Sequence, residues 1–333
     1  MEYGEAPAHI LDAHFDLLLN VREARAQGET HVLERKFLPG FRAAGIQVQI
    51  CSLFIRDMYY PEMATRNALD QISYLYEDLD ECGRFFALCT NTEQINRAVS
   101  EGKIALLLSL EGAEPLGQDL ALLRVFYELG VRLLGIVWSR RNHAGDGAFF
   151  AARREGQKGG LTDFGVALVE KAQKLGMVLD ASHLNDQGFA DLVQFSEGPF
   201  IASHSNCRAL APSMRNLTDE QIRIIAKRDG VIGLNGFGGF VGAATNHPTL
   251  SDLLRHTHHI VQLVGADYAG LGLDLCDTLN LTVSEETPDQ RDVIQEMEGI
   301  ADLIKLIRRD FEPAVAEKIL GKNFYRVLKN VLG

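Results

Sequence analysis

Five short polar motifs stand where apolar runs end: Asp12-Ala13-His14-Phe15-Asp16, Leu110-Glu111-Gly112, Asp180-Ala181-Ser182-His183, Ser203-His204-Ser205 and Gly272-Leu273-Asp274. Imidazole nitrogens and carboxylate oxygens are the side-chain atoms that bind divalent metals. His14 and Asp16 lie two residues apart, so a strand turns both toward one face. Glu111 follows an almost wholly apolar run, Ile104–Leu110. A carboxylate there is stranded at high cost, bound to a cation, or placed beside a helix N-terminus. His183 and His204 also close apolar runs, and each taken singly reads as a hydrogen-bonded core histidine. Taken together, equivalent placements in distant segments read better as one metal site. His14, Asp16, Glu111, His183 and His204 exceed the three protein ligands and one water usual for a catalytic zinc. Two ions about 3.5–4 Å apart, sharing one carboxylate, use all of them. Asp274 is then the remaining carboxylate, placed to accept a proton from an activated water.

Such a site needs a fold that gathers distant strand ends. Apolar, often β-branched runs at 8–11, 46–55, 104–110, 131–137, 176–182, 199–203, 230–235 and 268–273 predict strands. Helical patterns fall between them, near 61–82, 93–101, 118–129, 163–175, 186–196, 218–228 and 249–264. Two more, about 289–309 and 313–330, follow the last strand. Continuous apolar runs suit strands buried on both faces of a parallel sheet. Eight βα units at this length predict an α/β fold, a (β/α)8 TIM-type barrel with extra C-terminal helices. A doubly wound sheet would not bring the ends of the first, third, fifth, sixth and eighth strands together. No linker or composition break interrupts the chain, so one domain over 1–333 is expected. Glycine-rich Arg140–Gly160, then 205–217 with Arg208 and Arg215, then 275–288 are expected as loops over the barrel mouth.

Composition excludes some partners. The 333 residues are 46% apolar with a formal net charge of −12, and the pI is near 5.3. That balance argues against nucleic-acid and anionic-membrane partners, which basic surfaces bind. Five scattered cysteines, Cys51, Cys82, Cys89, Cys207 and Cys276, read as reduced thiols, and a cytoplasmic location is expected. The acidic start, Met1-Glu2-Tyr3-Gly4-Glu5, shows no signal-peptide pattern, and no apolar run is long enough to span a bilayer. A homodimer stays open.

The ordered motifs resemble the zinc-dependent renal (membrane) dipeptidase family of metal-dependent hydrolases, over nearly the whole chain. The resemblance rests on D-x-H-x-D at 12–16, L-E-G at 110–112, G-L-x-x-F-G at 160–165 and L-G-M-x-x-D-x-S-H at 175–183. It continues through S-H-S at 203–205, R-N-L-x-D at 215–219, G-L-G-x-D at 270–274 and G-x-N-x-x-R at 321–326. It implies a binuclear centre with two zinc ions per chain, His14, Asp16 and Glu111 holding one, and Glu111, His183 and His204 the other. It further implies Asp274 as acid/base carboxylate, Arg215 as the grip on a substrate carboxylate, and a dipeptide as substrate. Where vertebrate members carry a substrate-binding histidine after the fourth strand, this chain has Trp138, with Asn142 and His143 as replacement donors.

Two other functions fit the same barrel: a related metal-dependent amidohydrolase or lactonase, and a non-catalytic binding protein. H-x-D rather than H-x-H on the first strand speaks against the former, and the intact ligand set against the latter. His256, His258 and His259 read as a solvated or interface helix face rather than a second metal cluster. Glu77–Glu81 reads as the exposed acidic end of a helix, and Gly236, Gly238, Gly239 and Gly242 as backbone close to substrate.

Overall fold

The computed structural model describes residues 9–149, 159–242, 247–275 and 292–333. Eight parallel strands form one curled sheet: β1 Leu11–Phe15, β2 Val48–Leu53, β3 Phe86–Leu88, β4 Ile104–Glu111, β5 Val131–Gly135, β6 Val178–Asp180, β7 Ile232–Leu234 and β8 Ala269–Leu271. The helices are α1 Leu17–Ala26, α2 Leu38–Ala44, α3 Ala64–Cys82, α4 Thr92–Ser100, α5 Ala121–Glu128, α6 Asp163–Lys174 and α7 Asp186–Phe195. They continue with α8 Asp219–Lys227, α9 Gly238–Val241, α10 Leu250–Val264, α11 Ile300–Asp310, α12 Pro313–Glu317 and α13 Asn323–Leu332.

Strand order is β6-β5-β4-β2-β1-β8-β7, with β3 paired to β4 off this path. Between the edge strands β6 and β7 the ladder is reduced to isolated parallel bridges, Asp180 to Ile201 and Ala202 to Ile232. The sheet is therefore TIM-barrel-like but not closed as a regular ladder. The expected strand at 199–203 is that bridging segment. A Cβ at Gly233 or Gly272 would collide with the Ser203 carbonyl, so both neighbours need glycine for backbone to pass this closely. The motifs did not reveal β3, which shares one edge of β4 with β5: β3 takes Ile104–Leu106 and β5 takes Leu108–Glu111.

All residues of β2 and β4 are buried, as strands sandwiched between barrel interior and helices require. Alternation sorts them. Val48, Ile50, Ala105, Leu107 and Leu133 pack in a smaller cluster with Leu11, Ala13 and α13 residues Phe324, Tyr325, Val327 and Leu328. Cys51, Leu53, Leu106, Leu108 and Leu110 pack with the helix layer. The motif at 321–326 fixes α13 in place: Asn323 donates to the carbonyls of Ala266 and Ala269 at 2.7 and 2.8 Å. Arg326 pairs with Asp229.

The stretch 17–44, unassigned from sequence, holds α1 and α2. The acidic run 77–81 is not all exposed: Asp78 is fully buried and accepts the backbone N–H groups of Val32 and Leu33 at 2.8 Å each. The helix expected at 289–309 begins at Ile300. Cys51, Cys82, Cys89 and Cys207 are buried and outside any disulfide; Cys276, the 275–288 loop beyond Leu275, and residues 1–8 lie outside the described residues. No helix among the described residues is long and apolar enough to cross a membrane.

Candidate metal centre

Each predicted ligand sits at the C-terminal end of a strand or just beyond it, the face where barrels of this kind carry their sites. His14 is near the end of β1 and Asp16 follows it, Glu111 ends β4, and His183 and Asp274 lie three residues past β6 and β8. The β1–β2 register slips between Asp12 and Phe15, an irregularity where the strand delivers His14 and Asp16.

Glu111 is the hub. Its Oε2 lies 3.5 Å from His14 Nε2, and its Oε1 lies 3.0 Å from His183 Nε2 and 3.7 Å from His204 Nε2. His14 Nε2 is also 3.9 Å from Asp16 Oδ1 and 3.8 Å from Asp274 Oδ1. The ligating atoms form three mutually close sets: His14, Asp16 and Glu111; Glu111, His183 and His204; and His14, His204 and Asp274. The predicted ligands are all at most 6% exposed.

The chemistry of this donor set fits divalent ions. His14 Nε2 and Glu111 Oε2 are buried without a hydrogen-bond partner. His183 and His204 face each other through Nε2 atoms 2.8 Å apart. Two lone pairs at that distance need a proton or a cation between them. Burial, then the charge of Asp274, raises the Glu111 carboxyl well above its usual range. Burial, then the charge of Glu111, does the same to Asp16. Burial holds both His183 and His204 well below the ordinary imidazole value, so they are neutral with a lone pair to offer. Crowded carboxylates beside neutral imidazoles are what a dication stabilises.

The groups behind the ligands fix their orientation. Ser203 Oγ lies 2.6 Å from His204 Nδ1 and donates its own proton to Asp180. The His204 proton must then sit on Nδ1, leaving Nε2 free to ligate. Asp180 is held in turn by the N–H groups of Ser182 and Ser203, both at 2.9 Å. Ser139 Oγ meets His183 Nδ1 at 2.8 Å, and Ser52 donates to Asp16. Asn235 Nδ2 donates to Asp274 Oδ2 at 2.8 Å. His183 and Asp274 hold left-handed backbone, φ 70° and 53°, a conformation rare outside glycine that His31 and Asp229 also adopt away from the cluster. Sequence reasoning missed Ser139, Ser203, Asp180 and Asn235 as supporting residues. Asn235 carried a usable signal, since it too ends an apolar strand run.

Arg215 is 3% exposed. Its Nη1 donates to Ser205 Oγ at 2.7 Å and its Nη2 to the His204 carbonyl at 2.8 Å. Its Nε–H is buried without a partner. Burial lowers its pKa to about 10, opposed by the charges of Asp274, Asp180 and Glu111. The hydrogen bonds of Asn142 and His143 lead away from the cluster. The Asn142 side chain shapes its own loop, donating to the Ile136 carbonyl at 3.0 Å and accepting from Ala144 N at 2.8 Å. His143 Nδ1 meets Gln118 Nε2 at 3.0 Å. Trp138 does reach the site: its ring lies 5.9 Å from that of His183.

The other histidines do not share one solvated face. His256 is fully buried, taking Cys207 N–H on Nδ1 at 3.0 Å and meeting the Val241 carbonyl through Nε2 at 2.8 Å. It thus ties the loop bearing Arg215 to α9. His258 stacks on Phe311 and His259 pairs with Asp219. Gly242, at φ 58°, lies against Ala211 of the same loop.

A curled parallel sheet carrying buried carboxylates and imidazoles at its strand ends defines the class of barrel metallohydrolases. Within it, the membrane dipeptidase family, peptidase family M19, matches residues 6–332, and the chain belongs to that family. It is accordingly a hydrolase, and the family implies a metal cofactor. A solved dipeptidase AC, a metallo peptidase of the same family, superposes with a TM-score of 0.84 at 28% identity, covering 98% of this chain and 99% of its own. A metallo peptidase from Rhodobacter sphaeroides, solved with a phosphinate mimic of the dipeptide L-Ala-D-Ala, matches equally at 0.84 with 26% identity, covering 97% and 99%. A Klebsiella pneumoniae protein, described as an uncharacterized protein in the pqqA 5' region, is 32% identical over 249 residues, 73% of this chain and 88% of its own.

Proposed function

We propose that this chain is a binuclear metal-dependent dipeptidase built as one (β/α)8 domain, with two zinc ions per chain. Its substrates are short peptides with a free C-terminal carboxylate. The observation that carries the reading is the single Glu111 carboxylate, with one oxygen toward His14 at 3.5 Å and the other toward His183 at 3.0 Å. His14, Asp16 and Glu111 hold one ion; Glu111, His183 and His204 hold the other. Ions bound there supply an acidified water and a polarised peptide carbonyl.

The chain's own residues do the rest. Asp274, oriented by Asn235, accepts the proton from the attacking water and returns it to the leaving amine. Arg215, buried with an unmatched N–H, provides the positive charge and donor that a terminal carboxylate completes. Asp180 and Ser203 keep His204 in its ligating tautomer. A cytoplasmic location fits the four buried cysteines that form no disulfide.

The test is turnover of L-L and L-D dipeptides against their C-terminal amides, with metal content measured on the same protein. Close to two equivalents of metal and a strong preference for the free acid are expected. Asp274→Asn should lower kcat by a factor of about 10² while metal content holds. Loss of metal instead would move Asp274 among the ligands, where it already groups with His14 and His204.

A further inference from the structure

Arg215, the proposed grip on the substrate carboxylate, stands on a loop that is pinned at both its neck and its tip. Arg208 N–H donates to the Leu217 carbonyl at 2.8 Å and Leu217 N–H to the Asn206 carbonyl at 2.9 Å, closing the neck. The Arg208 side chain holds the tip. Its Nε donates to the Asn216 carbonyl at 2.9 Å and its Nη2 to the Met214 carbonyl at 3.2 Å, the residues on either side of Arg215. The same guanidinium forks onto the Asp186 carboxylate, Nη1 to Oδ2 at 2.9 Å and Nη2 to Oδ1 at 2.8 Å. Asp186 opens α7 three residues past His183 and also accepts from Gln221 at 3.0 Å. Arg215 is thereby tied twice to the metal cluster. Its own side chain holds the His204 carbonyl, and its flanking backbone is held through Arg208 to the segment that delivers His183.

We propose that Arg208, anchored on Asp186, is a positioning residue that sets the distance from Arg215 to the His183–His204 pair. It thereby confines the enzyme to peptides with a single α-residue between the scissile carbonyl and the terminal carboxylate. This rests on the dipeptidase reading above. The scissile carbonyl meets the cluster and the carboxylate meets Arg215, so their separation is the length of the residue between them. A loop free to shift would accept a residue longer by one methylene; a loop held on both sides of Arg215 does not. The exposure of the pair bears on its role. The side chains of Asp186 and Arg208 are 50% and 24% exposed, and an ion pair so placed adds little to stability. A planar fork that meets two carbonyls and both oxygens of one carboxylate fixes orientation instead, which the point charge of a lysine does not.

The experiment uses the metal-loaded enzyme with Ala-Gly, with Ala-β-Ala, which adds one methylene, and with the C-terminal amide of Ala-Gly. Wild type should favour Ala-Gly over Ala-β-Ala by about 10²-fold in kcat/KM, the scale of a reacting group displaced by about one ångström. Arg208→Met should shrink that ratio about tenfold through a higher KM for Ala-Gly, with the amide nearly unaffected and metal content unchanged. Arg208→Lys, which keeps the charge without the fork, should behave like Arg208→Met. Asp186→Asn combined with Arg208→Met should be little worse than Arg208→Met alone, since both break one clamp. A wild type indifferent to the extra methylene, a ratio unchanged in Arg208→Met, an equal loss on acid and amide, a fall in metal content, full rescue by lysine, or additive losses in the double variant would each overturn the proposal. Should wild type hydrolyse no dipeptide, the dipeptidase reading falls separately. The clamp is then decided by amide hydrogen exchange, which should quicken across 213–217 in Arg208→Met while the strands exchange as in wild type; unchanged exchange in 213–217 would dismiss it.

Discussion

Replacing Glu111 by Gln tests the shared carboxylate with little change of shape. Its oxygens lie 3.0 Å from His183 Nε2 and 3.5 Å from His14 Nε2, so an ion on either side sits within a few ångströms of the charge removed. Unit charges 4 Å apart at an effective dielectric of 20 interact by about 4 kcal/mol. If the neutral amide oxygen keeps half of that, each ion loses about 2 kcal/mol, near 30-fold in affinity. Competition with a chromophoric chelator measures both steps, and circular dichroism verifies the fold. The same substitution has an opposite effect once the ions are chelated. The Glu111 pKa is raised from its ordinary 4.5 in the fold, chiefly by burial and by Asp274. Below 4.5 folded and unfolded chains are both protonated, and above it the fold alone retains the proton. Ion-free stability therefore falls as pH rises from 4.5 through the raised value, and Glu111→Gln removes that slope. At neutral pH the gap in Tm between loaded and stripped protein should narrow from both sides. One site lost while the other binds at wild-type affinity would refute the shared ligand.

Arg215→Met should lower kcat/KM for a dipeptide by roughly one to two orders of magnitude while leaving its C-terminal amide nearly unaffected, measured by initial rates. Equal losses on both would mean that Arg215 acts by holding Ser205 and the His204 carbonyl rather than substrate. Ser203→Ala removes the acceptor for His204 Nδ1 and should weaken the ion held by Glu111, His183 and His204 by about 10- to 100-fold, with the other much less affected; equal affinities in a metal titration would dismiss the relay. His256 is buried neutral, its pKa pushed down from 6.5 to about 4 by burial, so stability is fully present above 6.5 and lost as pH falls toward 4. The loss is on the order of 3 kcal/mol, and His256→Gln should flatten denaturation midpoints across that window.

The candidate ligands stood out in the sequence because few physical reasons place His or Glu at the end of an apolar run, and the structure brings their ligating atoms within reach of one another. The barrel followed from the need to gather those ends. Hydroxyl groups gave no comparable signal. Ser203 and Ser139 are small and neutral, and only the closeness of neighbouring strand ends shows that they meet His204 and His183. The third strand, Phe86–Leu88, is three residues long and continues an amphipathic pattern, too short for period-two alternation to register. Asn142 looked like a free donor, yet its amide closes the turn it sits in.

Asp16 shows why the region after the first strand was the hardest to read. It occupies the position before α1 where an Asp normally caps a helix, yet its side chain makes no capping hydrogen bond. Its carboxylate instead accepts from Ser52 and turns toward His14. The helix begins one residue after this candidate ligand, in Leu17-Leu18-Leu19, with no glycine or proline to separate strand from helix. A cap and a ligand cannot use the same oxygens in the same direction, and here they point to the candidate centre rather than to the helix N–H groups. His183 and Asp274 repeat the pattern in backbone form, both in left-handed conformations that a residue chosen for stability alone would leave to glycine. Local rules fail at these three residues together, and all three belong to the candidate centre. His31 and Asp229 hold the same backbone singly and away from the cluster, so it is the convergence of such departures on one buried set of metal-binding atoms that marks the candidate centre.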